Sequence, residues 1–166
     1  MAANGTNADR MAPPSDDGPV GDVSPALPDE VSVTLWLRGS APDVAAERQD
    51  RITARVEAFG EAGVETTVRE WPRRVSDPTT DRQRAAVAAF DRYRAVAGVN
   101  GVRLDPFFEC RTNPDGTRTI SFPVACLSLE RDGNLTGLYP CYVDGDHAAI
   151  EDGLDAIETG AAENIR

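Results

Sequence analysis

The chain contains no lysine. All 17 of its basic residues are arginine, against 28 acidic residues, and the net charge over 166 residues is −11. It has a single histidine, His147, and three cysteines. No apolar run approaches the ~18 residues needed to cross a membrane. The N-terminus lacks the basic start and apolar centre of a secretion signal. These absences predict a cytoplasmic protein with no membrane segment. The motifs of common enzyme sites are missing as well. "LWLRGSAPD" offers one glycine where a dinucleotide loop needs three, and no nucleophile elbow or His-Glu-x-x-His occurs. With one histidine and no such motif, an enzyme is the less favoured class, and no cofactor is expected.

What is present is also biased. Aspartate supplies 17 of the 28 acidic residues. A carboxylate-rich, lysine-free surface suggests a salt-adapted protein from a GC-rich organism, because salt screens the self-repulsion that such a surface creates. In molar salt, affinity built on phosphate contacts falls steeply. The first residues, "MAANGTNADRMAPPSDDGPVGDVSPALPDE", have no periodic apolar positions. Residues 1–29 therefore read as a disordered acidic tail, 30–160 as one domain, and 161–166 as a flexible end.

Within that domain "VSVTLWLRG" alternates, with Val31, Val33, Leu35 and Leu37 on one face, and predicts a strand. A helix follows, with Ser40 as its cap and Val44, Ile52, Val56 and Phe59 as its stripe. "VETTVREWPRRV" predicts a second strand. A second helix starts near Asp77–Pro78, with Ala86, Phe90, Tyr93 and Ala97 inward. "FFECRT", "TRTISFPVACLSLE" and "LTGLYPCYV", joined by "NPDG" and "RDGN", predict an antiparallel meander. Ile150, Leu154 and Ile157 mark a closing helix. The expected fold is α/β (α+β), in the order β-α-β-α-β-β-β-α. It has a single mixed sheet and helices packed mainly on one face.

The three cysteines and the histidine lie between Cys110 and His147, which raises the question of a zinc site. Hairpin register answers it. A loop centred on "NPDG" puts Cys110 beside Thr119, and Cys126 then lies about 23 Å further along the strand at ~3.3 Å per residue. A loop at Asp132–Gly133 pairs Cys141 with Val124. Cys126 and Cys141 become diagonal neighbours, roughly 7–8 Å apart, and Cys110 cannot join them. No metal is expected. Cys126 and Cys141 read as buried free thiols on the face of Ile120, Phe122 and Val124, with a redox or metal-responsive pair as the alternative. His147, beside Asp144 and Asp146, reads as a solvated residue. The alternative is a general base of a small enzyme.

The remaining chemistry lies in "REWPRRVSDPTTDRQR". Trp71 offers a stacking face, and Arg73 and Arg74 offer planar forks for an anion. The segment is a candidate contact for an acidic partner, a nucleotide or a nucleic-acid backbone. In the competing reading, Trp71 caps the core while Arg73 and Arg74 pair with Glu70, Asp77 or Asp81.

The stretches "ERQDRITARVEAF", "VREWPRRVS", "GVRLDPFFECR", "PVACLSL" and "IEDGLDAIE", in this order, resemble a family of short haloarchaeal proteins of unknown function. Some members are labelled helix-turn-helix domain proteins. The resemblance spans roughly Val31 to Glu158 and carries no catalytic residues with it. It implies DNA binding, which the alternation of long helices with strands does not favour, because a helix-turn-helix needs two helices ~3–4 residues apart. The expectation is a non-catalytic binding or regulatory domain with an unknown protein or small-molecule partner. Nucleic acid is possible but not favoured as that partner.

Overall fold

A computed structural model describes residues 31–165, and the expected tail lies outside the described residues. The element order is β1 (Val31–Arg38), α1 (Asp43–Glu61), β2 (Glu65–Trp71), β3 (Arg74–Val75), α2 (Asp81–Val99), β4 (Val102–Arg103), β5 (Glu109–Thr112), β6 (Arg118–Ser121), β7 (Ala125–Arg131), β8 (Asn134–Tyr139), β9 (Cys141–Val143), β10 (Asp146–Ala148) and α3 (Ile150–Thr159). The fold is α+β. The three helices fall where apolar periodicity places them.

The expected single sheet is divided into three. The main sheet has the order β2-β1-β7-β8, and two three-stranded sheets, β3-β6-β5 and β10-β9-β4, stand beside it. Alternation predicts one long strand from Thr117 to Glu130, but the chain breaks it into β6 and β7. Pro123 lies in the break and has no N–H to continue a ladder. Before it, the Phe122 N–H is given to the Arg73 carbonyl at 3.0 Å. The chain then steps from the small sheet to the main one.

In the main sheet β1 runs parallel to β2 and antiparallel to β7. Strand alternation sends side chains to two separate cores. Val31, Val33 and Leu35 of β1 join Leu127 and Leu129 of β7 beneath α1 and α3, which supply Ile52, Val56, Phe59, Ile150, Leu154 and Ile157. Trp36 and Cys126 point the other way, towards Ala86, Phe90, Tyr93 and Ala97 of α2. Two of the three helices thus share a face and the third covers the opposite one. Val44, read as part of the α1 stripe, is 79% exposed on the first turn.

The helix starts also differ in detail. Pro42, not Ser40, is the N-cap residue of α1, and it makes no side-chain cap. Thr80 caps α2, accepting from the Gln83 N–H in a capping box. Register differs by small steps. Cys110 faces Ile120 rather than Thr119. A bulge at Thr136 shifts the β7–β8 pairing, so Leu127 faces Tyr139. Residues 161–165, placed outside the domain as a flexible end, lie against β8. Ala162 and Ile165 are buried, the Ile165 N–H donates to the Thr136 carbonyl, and the Asn164 amide bonds both backbone groups of Leu138. Five residues are too few to carry a periodic signal.

Candidate functional site

The parallel strands β1 and β2 end together, with Arg38 opposite Trp71. From that point their connections leave for opposite faces of the sheet, β1 into α1 and β2 through β3 into α2. In open α/β sheets such a divergence at the carboxyl ends of strands creates a crevice. The Gly39 N–H donates to the Trp71 carbonyl at 3.0 Å, and the Arg38 N–H to the Val124 carbonyl at 2.9 Å. Gln49 of α1 reaches over with its amide nitrogen to the Arg38 and Val124 carbonyls. The floor of the crevice is therefore fixed by backbone bonds.

Arginines line it. Arg38, Arg73 and Arg74 border both hollows that open here, one of about 510 Å³ and one of about 730 Å³. Arg38 donates from Nη1 to the Phe122 carbonyl at 3.2 Å, while its Nε is buried with no hydrogen-bond partner. Burial, and then the charge of Arg73, hold the Arg38 guanidinium below the ordinary arginine value. It remains a cation throughout the physiological range. Arg73 and Arg74 are exposed and form no ion pair among the described residues. Their expected partners are engaged elsewhere or lie apart: Glu70 pairs with Arg82 at 2.7 Å, and Asp81 with Arg84 at 2.7 Å. Arg48, also on the smaller hollow, is neutralised by a two-pronged bond to Glu151.

Trp71 does not offer a stacking face. It is fully buried, stacked on Trp36 at 4.7 Å between ring centroids, with Phe108 and Phe122 against it. Its Nε1 donates to the Pro123 carbonyl at 3.1 Å. Alternation placed Trp71 beside the arginines but could not say which way it turns. The tertiary structure sends the ring inward because three other rings meet there. The more accessible rings lie elsewhere, and of these only His147 stands out in the sequence. Phe107 stacks on His147 at 5.1 Å, with Tyr142 behind at 5.5 and 5.4 Å. Phe107 and His147 also line the smaller hollow.

Cys126 and Cys141 are both fully buried in the core beneath α2, and Cys110 is exposed. Burial pushes the Cys126 thiol far up, with a further contribution from Cys141. The Cys141 thiol is raised to about 11 by burial, although Asn164 donates to it at 3.6 Å. Neither thiol is poised as a nucleophile. Among the described residues, no three His, Cys, Asp or Glu side chains converge on a metal position. No helix among them is long and apolar enough to cross a membrane.

Compared with known proteins, the chain matches the family described as "Helix-turn-helix domain" over residues 25–162. That is most of its length, and the chain belongs to this family. No curated protein and no solved structure matches it. The family name describes two helices joined by a short turn. Among the described residues no such pair occurs, since β2 and β3 separate α1 from α2, and seven strands separate α2 from α3.

Proposed function

We propose that this member of the helix-turn-helix domain family is a non-catalytic regulatory domain that holds a phosphate-bearing ligand between Arg38, Arg73 and Arg74. One observation carries the reading. In a protein of net charge −11, two adjacent exposed arginines lack a carboxylate partner, beside a third whose Nε is buried and unpartnered. Guanidinium forks match phosphate oxygens two at a time. The position at the diverging ends of two parallel strands is where open α/β sheets take ligands.

Calorimetric titration with inorganic phosphate and pyrophosphate, at fixed ionic strength in chloride buffer, tests this. Pyrophosphate is expected to bind, and the Arg73→Ala, Arg74→Ala double variant to bind at least tenfold more weakly. The melting temperature should hardly change, because exposed substitutions usually stay within ~0.5 kcal/mol. Equal binding by the double variant would sink the reading.

A nucleic-acid ligand is the second reading. Between Arg69 and Arg94, seven arginines stand against four carboxylates, a local net of +3. Gel shifts with duplex DNA across a salt series test it. Retardation that weakens with salt and with Arg82→Ala and Arg84→Ala supports it, and no retardation at any salt removes it. The burial of Cys126 and Cys141 weighs against a redox role for that pair.

A further inference from the structure

The lining of the smaller hollow includes two chemically different groups of side chains. One is the arginine cluster described above. The other is built from Phe107, in the connection between β4 and β5, and His147 on β10. These rings lie within 18° of parallel, and Tyr142, opposite His147 in the β9–β10 register, backs them. The guanidinium of Arg103 stands 6.0 Å from the Tyr142 ring on the same cluster. Phe107 is half-buried and His147 exposed. Glu109 also lines the hollow and forms no ion pair among the described residues.

We infer that this hollow takes a free nucleotide, with its phosphate on Arg38, Arg73 and Arg74 and its base against Phe107 and His147. The inference rests on the phosphate reading above and adds the rest of the ligand. A sugar phosphate would leave Phe107 and His147 unused, whereas a base has a planar face that stacks on rings of this kind. The Glu109 carboxylate, in the same cross-strand row as Arg74 through Ser121, accepts hydrogen bonds, which suits the hydroxyls of a ribose or the amino groups of a base. A volume of about 510 Å³ falls within the range of small-ligand pockets. A long strand would bring many phosphates into the field of a chain carrying −11, whereas a mononucleotide places its charge on the local cationic cluster.

Calorimetry on the full chain with adenosine and guanosine monophosphates, ribose 5-phosphate, orthophosphate and a single-stranded oligonucleotide tests the inference. At least one mononucleotide is expected to bind roughly tenfold or more tightly than ribose 5-phosphate. Phe107→Ala should abolish that advantage and leave ribose 5-phosphate binding intact. His147→Ala, at an exposed position, should reduce the advantage even if Phe107→Ala fails to fold. Equal affinity for mononucleotide and ribose 5-phosphate overturns the inference, as does nucleotide binding unchanged in His147→Ala and in any folded Phe107→Ala. Tighter binding of the oligonucleotide than of any mononucleotide also overturns it. All of these outcomes leave the phosphate reading standing. Absence of binding by every phosphate compound, or binding untouched by Arg73→Ala with Arg74→Ala, defeats both.

Discussion

The two faces of the main sheet are made by alternate residues of the same strands, yet they differ in chemistry. Beneath α1 and α3 the core is mostly aliphatic, and ion pairs such as Arg48–Glu151 and Arg55–Asp155 link the two helices across its surface. Beneath α2 the core is aromatic and carries polar groups. Trp36 donates from Nε1 to the Tyr93 hydroxyl at 3.0 Å, and Tyr93 donates to Ser128 at 3.2 Å. Aliphatic side chains fill space without directional demands. Large rings with N–H and O–H groups need partners, and their packing continues into the loops that shape the crevice. The candidate site opens at the end of this second face.

The sharpest break of that contrast is Trp71→Ala. It removes the ring that ties the aromatic core to the crevice floor and should cost roughly 3–5 kcal/mol in denaturant unfolding. A loss as small as that of an exposed ring would mean that Trp71 is not the anchor its four ring and backbone contacts suggest. Tyr93→Phe follows, at about 1–3 kcal/mol, because it strands the buried Trp36 N–H and the Ser128 hydroxyl. The aliphatic side has its own tight point at Gly153 of α3. A Cβ there would lie 2.6 Å from the Tyr139 ring. Gly153→Ala should therefore destabilise by roughly 1–3 kcal/mol in the same assay.

The effects of pH separate the faces by sign. On the aromatic side burial raises both thiols above their ordinary value. Below pH ~8.5 both states keep the protons and stability is intact. Above it the unfolded chain ionises first, and stability falls by about 1.4 kcal/mol per pH unit per thiol until the folded value is passed. Cys126→Ala should flatten part of this alkaline loss. On the other side, the hydrogen bond from Arg48 holds the Glu151 carboxyl below the ordinary range. Its contribution is present above pH ~4.3 and is lost as pH falls through the depressed folded value. Thermal melts of wild type and Glu151→Gln across both limbs check this, with the variant losing less than wild type on acidification.

Much of the fold was legible because periodicity is a local property. The alternation in Val31–Leu37 and the stripes at Ala86, Phe90, Tyr93 and Ala97 and at Ile150, Leu154 and Ile157 report the elements and their buried sides directly. Hairpin spacing set Cys110 apart from the other thiols, but the expected pairing of Cys141 with Val124 does not form: after Pro140 the chain leaves the main sheet, and Cys141 lies in β9 opposite Ala148. The candidate site was half legible. Arg73 and Arg74 stand out in any reading of the chain, but Arg38, Phe107 and His147 are scattered over 110 positions and only topology brings them together.

By itself the sequence determined the three helices and the longer strands, most of their buried positions and the acidic, lysine-free composition, since each depends on residue type and short-range spacing; the short strands β3, β4, β9 and β10 were not separately legible. The tertiary structure alone decided that the sheet divides at Pro123, that Trp71 turns inward, and that the last residues dock on β8. It also decided which arginines keep a carboxylate partner. Those outcomes depend on which distant surfaces meet, and pairing and burial are properties of that meeting rather than of any one segment.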